Sequence, residues 1–325
     1  MPTGILVPND EPDFVAFAER AESLGYDSLW CGELWERDAF VSLARAAEHT
    51  DAIELGTAIA NVYSRTPAAL AQAAGTLAGA AEGRVRLGLG TSTRKAIEDL
   101  HAMDFENPPR RLHETTELAR KFLQGSGRVS YEGELFEVAD FPALGVDVPV
   151  YAAALGPATR RATGRTAEGW LPHNIPFEDL PAAFETIAEA ARERDRDPDS
   201  IEVAPYVPSA VSEDASRARA TLRGHVAYYV GSGEGYRKAV ARRFPEGAEA
   251  VAEAWRGGDR EAAREAVTDE MIAALGVAGT PAEAREQFEA IASIDAIDEP
   301  LVVVPTGAPE DVRERTVEEL SPERR

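Results

Sequence analysis

The chain predicts an α/β fold, a (β/α)8 TIM barrel, on three observations. Eight short apolar runs recur along it, each is followed by a segment with helical periodicity, and no linker or low-complexity stretch interrupts the alternation. A chain of 325 residues is long enough for one such barrel, so residues 1–325 are read as a single domain.

Residues 3–7, closed by Pro8, read as the first strand, and residues 13–23, stopped by Gly25, as its helix. Residues 28–31 form the second buried strand, followed by a helix over 38–49. The stretch 53–90 reads as strand, turn, helix over 67–81 and strand over 84–90, with small residues at the ends of both strands. After the polar turn at Thr91 come helices over 95–101 and 110–124, then a small hairpin in the glycine-rich run from Gly125. Residues 148–153 are strand five, with a helix opening at Gly156-Pro157, where proline suits the first turn. Strand six is 169–172 with its helix over 178–194, and strand seven is 201–207. From 214 to 275 the pattern is only helical, broken at Gly231-Ser-Gly, Pro245 and Gly257-Gly258. That is longer than one crossover needs, and it reads as a helical insertion before the last strand, packing as a cap or a dimer surface. Thr280-Pro-Ala-Glu carries a capping signal, 301–304 is strand eight, 309–319 the last helix, and the tail 321–325 frays.

Charge narrows the function. With 57 acidic against 34 basic residues and a net charge of -23, most of the surface repels phosphate backbones and anionic membranes. Neither a nucleic acid nor a membrane is an expected partner. Only Lys95, Lys121 and Lys238 are lysines, and this acid-rich, lysine-poor balance resembles proteins of salt-loving archaea, where molar salt screens charge within roughly 3 Å. An ordinary acidic protein from a GC-rich genome has the same signature. The single cysteine, Cys31, allows no intrachain disulfide, and the start of the chain lacks a signal-peptide pattern; a cytoplasmic protein is expected.

In a barrel the site lies at the carboxyl ends of the strands. There the chain offers Gly32-Glu33, residues 58–63, 90–94, 152–158 and 172–174, a set rich in small residues and poor in nucleophiles. That composition favours holding a large flat cofactor over covalent catalysis. No metal-ligand spacing occurs among the five scattered histidines. Gly88-Leu-Gly90 begins a dinucleotide fingerprint, but Thr93 stands where its third glycine belongs. Gly156-Pro157, between strand and helix, is either a plain helix start or an anion site built on free N–H groups. Trp35 and Phe40 read as core or rim aromatics before they read as a ring-stacking wall.

Four motifs carry a resemblance: Trp30-Cys-Gly-Glu-Leu-Trp-Glu-Arg-Asp-Ala-Phe40, residues 55–67, Gly83-Arg-Val-Arg-Leu-Gly-Leu-Gly90 and Tyr151-Ala-Ala-Ala-Leu-Gly-Pro157. Together with Arg111-Leu-His-Glu114 and Gly133-Glu-Leu-Phe136 in the same order, they are similar to the bacterial luciferase-like monooxygenase superfamily over the whole chain. Residues 56–63 look most like the deazaflavin branch, which includes the methylenetetrahydromethanopterin reductases. The resemblance implies a luciferase-like barrel, coenzyme F420 or else FMN at the strand ends, and a non-proline cis peptide at Ala58–Ile59 backing the ring. It implies Asn61 and Tyr63 beside that bulge, Gly90, Thr91, Ser92 and Arg94 facing the cofactor, and Ala153, Ala154, Gly156 and Pro157 on its phosphate or ribityl arm.

Glu33 falls where family members often carry an acidic residue or histidine near the ring, so it is the implied proton donor or acceptor. Several members carry Asp-His where this chain has Gly32-Glu33, and a structural pairing of Glu33 with Arg37 or Arg65 is the competing reading. The function implied is F420-dependent hydride transfer to or from a small-molecule substrate. The alternatives are an FMN-dependent monooxygenase and a non-catalytic flavin-binding protein. A homodimer is implied, paired beside strands two and three, where the helix over 67–81 is alanine-rich.

Overall fold

A computed structural model describes residues 1–324. Its strands are β1 Gly4–Leu6, β2 Ser28–Cys31, β3 Glu54–Thr57, β4 Ala60–Asn61, β5 Val85–Gly90, β6 Arg128–Glu132, β7 Glu137–Pro142, β8 Val150–Ala152, β9 Gly169–Trp170, β10 Glu202–Val203, β11 Tyr206–Val211, β12 Val277–Gly279 and β13 Leu301–Val303. The first six helices are α1 Phe14–Ser23, α2 Ala39–Ala47, α3 Pro67–Ala80, α4 Pro108–Gln124, α5 Pro157–Thr166 and α6 Leu180–Arg192. Five more, α7 Ala215–Ser232, α8 Glu234–Val240, α9 Pro245–Arg256, α10 Arg260–Glu265 and α11 Asp269–Leu275, precede α12 Pro281–Ala292 and α13 Glu310–Glu319. Starts are set by side-chain caps: Asp13 accepts from Ala16, Asp38 from Val41, Thr66 from Ala69, and Thr280 with Glu283 forms the expected capping box.

All pairings in the main sheet are parallel, and the strands run in the order β10, β9, β8, β5, β3, β2, β1, β13, β11, β12, with β4 alongside β5. The sheet curls because residues 202–211 serve both of its ends. On one side Ala204 N donates to Trp170 O and Tyr206 N to Pro172 O; on the other Leu301 N donates to Pro205 O. β6 and β7 form the expected hairpin apart from it.

Several boundaries differ from expectation. The seventh apolar run is two strands, because Pro205 has no N–H for the ladder, and the second continues to Val211. β4 and β12 are additional: two and three residues long, they are too short for a periodic signal. The helix expected over 95–101 is a single π-helical turn, Ala96–Leu100. The helical stretch 214–275 does resolve into α7–α11, broken at the glycines and near the proline that the sequence marks.

Three hydrophobic clusters divide the molecule. One lies between the sheet and the surrounding helices, and a second inside α7–α11 closes on Ala210, Ala278 and Val312. The third, Trp30, Ala58, Tyr151, Leu171, Ala204 and Leu301, fills the inside of the curled sheet. Trp30 and Tyr151 meet edge to face with ring centroids 5.4 Å apart, and Gly56 and Gly169 leave room for them: a Cβ at either would run into the neighbouring ring. Below this layer Arg86 pairs with Glu299 and Glu54, and Ser28 donates to Glu299 Oε1 at 2.5 Å. The lower interior is therefore an ionic plug, and the upper end is left to smaller side chains. No helix among the described residues is long and apolar enough to cross a membrane.

Candidate functional site

The carboxyl ends of β3, β5 and β8 come together as a flat apolar floor. The Ala58–Ile59 peptide after β3 is cis, the bond the resemblance implies. Ala58 N donates to Cys31 O at 2.7 Å, and its own carbonyl accepts from Tyr206 Oη at 2.8 Å. Ile59 lies over Gly90: a Cβ there would stand 2.8 Å from Ile59 Cγ1 and 3.3 Å from the Cβ of Ala153. Thus Ala58, Ile59, Gly90 and Ala153, from three strands, form one surface.

The other expected residues surround that floor in different roles. Asn61 is buried, and its Oδ1 accepts from Tyr63 N at 3.0 Å and Ser64 N at 2.8 Å, which fixes the turn into α3. Tyr63 is also buried, stacked on Phe105 with its hydroxyl on Glu106 O, and burial pushes its phenol up to about 12. Thr91 and Ser92 are half-buried at the mouth, Ser92 with a left-handed backbone, φ 56°. Arg94 is not drawn into the floor; it is exposed at the rim, paired with Glu98 one turn on and over the Phe105 ring. Ala154 is buried with its carbonyl accepting from Trp170 Nε1 at 2.9 Å, and Gly156 and Pro157 are the N-cap and first residue of α5.

Glu33 is an ion-pair partner. Its Oε2 takes Arg65 Nη1 at 2.6 Å and its Oε1 takes Arg65 Nη2 at 2.7 Å, while Arg65 also reaches Asp38, the cap of α2. The carboxylate side chain is only 8% exposed, so the bidentate fork occupies the face it would need for proton transfer. Of the two readings of this residue, the geometry matches the pairing with Arg65. Phe40 packs in the core and Trp35 stands exposed at the rim.

Above the floor is a cluster that sequence reasoning only grazed. His173 and Asn174 follow β9 and are buried, and rings from distant segments close on His173: Tyr206 at 4.8 Å, Tyr229 at 4.4 Å, Tyr236 at 5.3 Å and His225 at 6.0 Å. His173 Nε2, His225 Nε2 and both amide atoms of Asn174 are buried with no hydrogen-bond partner among the described residues. Burial, with His225 alongside, holds the His173 imidazole well below its usual range, and burial sets His225 to about 4, so both are neutral at pH 7. The mouth thus offers a flat apolar surface below uncharged hydrogen-bonding groups, under the tyrosines of α7 and α8. Nothing in the sequence around His173 marks this, because its partners lie 33 to 63 positions away.

The chain is similar to known proteins over nearly its full length. Residues 3–296 match the family model described as luciferase-like monooxygenase. The 5,10-methylenetetrahydromethanopterin reductase of Methanolobus tindarius is 30% identical, covering 89% of each chain, and a putative coenzyme F420-dependent oxidoreductase of Mycobacterium tuberculosis is 27% identical, covering 96% of this chain and 94% of that one. Among solved structures, the coenzyme F420 dependent tetrahydromethanopterin reductase from Methanopyrus kandleri superposes with a TM-score of 0.83 at 26% identity, over 99% of this chain and 97% of that one. With a family match that spans both the floor and the residues above it, the chain belongs to the luciferase-like monooxygenase family.

Proposed function

We propose that this protein is a coenzyme F420-dependent oxidoreductase that passes a hydride between C5 of the deazaflavin and a small organic substrate. The observation that carries this reading is the likeness to a methylenetetrahydromethanopterin reductase across 89% of the chain at 30% identity. The residues present fit such a group: a flat floor without a nucleophile, and buried amide and imidazole atoms above it that lack partners in the protein. Bound coenzyme supplies the two-electron chemistry that no side chain here provides.

Ala58, Ile59, Gly90 and Ala153 back the ring, held in shape by Asn61, Tyr63 and Ala154. Thr91 and Ser92 line its edge, Arg94 stands at the rim, and Gly156 with Pro157 opens the helix whose free N–H groups suit the arm. His173 and Asn174 orient the substrate through neutral hydrogen bonds, and α7 and α8 exclude water. Counting residues 202–211 as one interrupted strand makes the ring eight-membered, a (β/α)8 barrel with 214–275 inserted before the last strand, all in one domain. Pairing of two copies beside α2 and α3, in a cytoplasm of high salt, completes the reading.

A thermal shift with F420, FMN and NADPH added separately tests it. At a hundredfold excess over Kd a ligand of the native state adds about 2.7 kcal/mol, or about 4 °C for a chain this long. A shift with F420 alone is expected. A shift with FMN alone moves the reading to the monooxygenases, and tight F420 binding without turnover moves it to a silent flavin-binding protein.

Glu33 acts in this scheme as a positioning residue that ties the loop after β2 to the segment after β4 through Arg65. Glu33→Gln is expected to raise KM for the coenzyme while kcat falls less than about tenfold and keeps its pH profile. A loss of about 10²-fold in kcat would return the proton-transfer role to Glu33.

A further inference from the structure

A basic pocket lies in the outer wall of the barrel, at the end away from the mouth. α4 and α5 both follow strands whose carboxyl ends form the mouth and run back from it, so the end of α5 stands about 13 Å from Gly156 along the helix. There a cavity of about 320 Å³ opens between the end of α4, the end of α5 and the turn after α6. His113, Glu117, Arg120 and Lys121 line it from positions of α4 that share one helix face, and Arg165 and Arg194 close it from the other two elements. Among the described residues Glu117 is the only carboxylate in the lining.

That carboxylate is already committed. Lys121 Nζ is 3.0 Å from Glu117 Oε1, Tyr131 Oη donates to Oε2 at 3.3 Å, and His113 Nε2 lies 3.7 Å from the same oxygen. Arg120 meets Glu168 and Arg165 meets Glu193 through Nη2 alone, at 2.7 and 2.9 Å. The Nε atoms of both arginines are buried, and neither these nor the two Nη1 atoms have a partner among the described residues. Arg194 is exposed and makes no ion pair among them. The acceptors at the end of α5 are no help, because Arg196 donates to the carbonyls of Gly164 and Ala167 and brings one more positive charge. Burial lowers the His113 imidazole, and Arg110, Arg165 and Arg194 add to that against Glu117, so it is a neutral hydrogen-bonding group at pH 7.

In a chain with 57 acidic and 34 basic residues, three arginines with unused donors around one cavity are out of keeping with the rest of the surface. Gathered on a concave wall they repel one another and focus a positive field into the cavity. We propose that this pocket binds a small multivalent oxyanion, a metabolite carrying two or more carboxylate or phosphate groups, held by Arg120, Arg165 and Arg194. Such a ligand relieves the repulsion and fills the open guanidinium forks together. Arginines from three separate elements suit separate anionic groups on one molecule, and a bound anion ties α4, α5 and the turn after α6 to one another. The pocket is remote from the floor proposed for the coenzyme ring and does not require the coenzyme reading to hold.

Calorimetric titration of the full chain with citrate and, separately, with pyrophosphate at constant ionic strength tests the proposal. Saturable binding of one equivalent of at least one probe is expected, weakened about tenfold or more in Arg194→Gln, which removes no ion pair that folding would miss. Arg165→Lys keeps the charge without the fork and should retain part of the affinity. Arg20→Gln removes the same charge from α1 and should bind as the wild type does. Preference for citrate assigns a polycarboxylate, and preference for pyrophosphate a phosphate compound. F420 affinity should be unchanged in Arg194→Gln; a matching loss there would give the pocket to the coenzyme and overturn a separate site. Probe binding in a chain that ignores F420 upholds the pocket and sinks the coenzyme reading. Binding of neither probe, or equal weakening in Arg20→Gln and Arg194→Gln, overturns the proposal.

Discussion

Arg86→Met is expected to lower stability by about 3–5 kcal/mol, more than removing most apolar side chains from the same interior. Arg86 lies beneath the rings of Trp30 and Tyr151, 5.8 and 5.6 Å from their centroids, and pairs with Glu299 and Glu54. Glu299 is 2% exposed, so the variant leaves a buried carboxylate with only the Ser28 hydroxyl for company. The deficit must depend on pH in a definite sense. Burial already raises the Glu299 carboxyl above its usual 4.5, with Arg86 the largest influence opposing it. A folded-state value above the unfolded one means stability that is full below the unfolded value and is lost as pH rises through the folded one. Removing Arg86 raises the folded value further, so the gap between variant and wild type should narrow as pH falls from 8 towards 5. Denaturant unfolding of both proteins at the two ends of that range checks it, and a gap independent of pH would mean that Glu299 is not the uncompensated charge.

Gly90→Val is expected to weaken F420 binding by about 100-fold or more while leaving the barrel folded. The added Cβ would meet Ile59 Cγ1 at 2.8 Å and Ala153 Cβ at 3.3 Å, so Ile59 can yield only towards the mouth, into the volume proposed for the ring. Overpacking of this kind costs about 1–3 kcal/mol in stability, but its effect on a flat ligand lying on the same three residues is larger. Ile59→Ala in the same chain restores the room and should recover most of the affinity, a coupling that independent sites would not show. Wild-type affinity in Gly90→Val, measured by fluorescence of the bound deazaflavin, would remove the ring from this floor.

The floor was legible and the groups above it were not, for a physical reason. Strands buried on both faces appear as unbroken apolar runs, so β1, β2, β5 and β13 stand out to within a residue or two, and Ala58 with Ile59, Gly90 and Ala153 fall at the ends of β3, β5 and β8. Local chemistry also showed through: the capping box at Thr280 and the glycine breaks in 214–275 each depend on a few adjacent residues. What escaped depends on contacts across the chain. β12 exists because Ser209, Ala210 and Val211 offer it a ladder, not because Val277-Ala-Gly279 signals a strand. His173 is an ordinary loop histidine until Tyr206, Tyr229 and Tyr236 are folded against it. Glu33 needed its distances to Arg65 to separate two roles that residue type and position allow equally.

The helices α7–α11 carry a core of their own, from Ala218 to Leu275, which closes on Ala210, Ala278 and Val312, while Tyr229 and Tyr236 reach out of it to His173. A body with a separate core has a separate cooperativity. On the proposed reading, substitutions inside that second core would change what reaches the mouth while leaving the packing of the floor as it is.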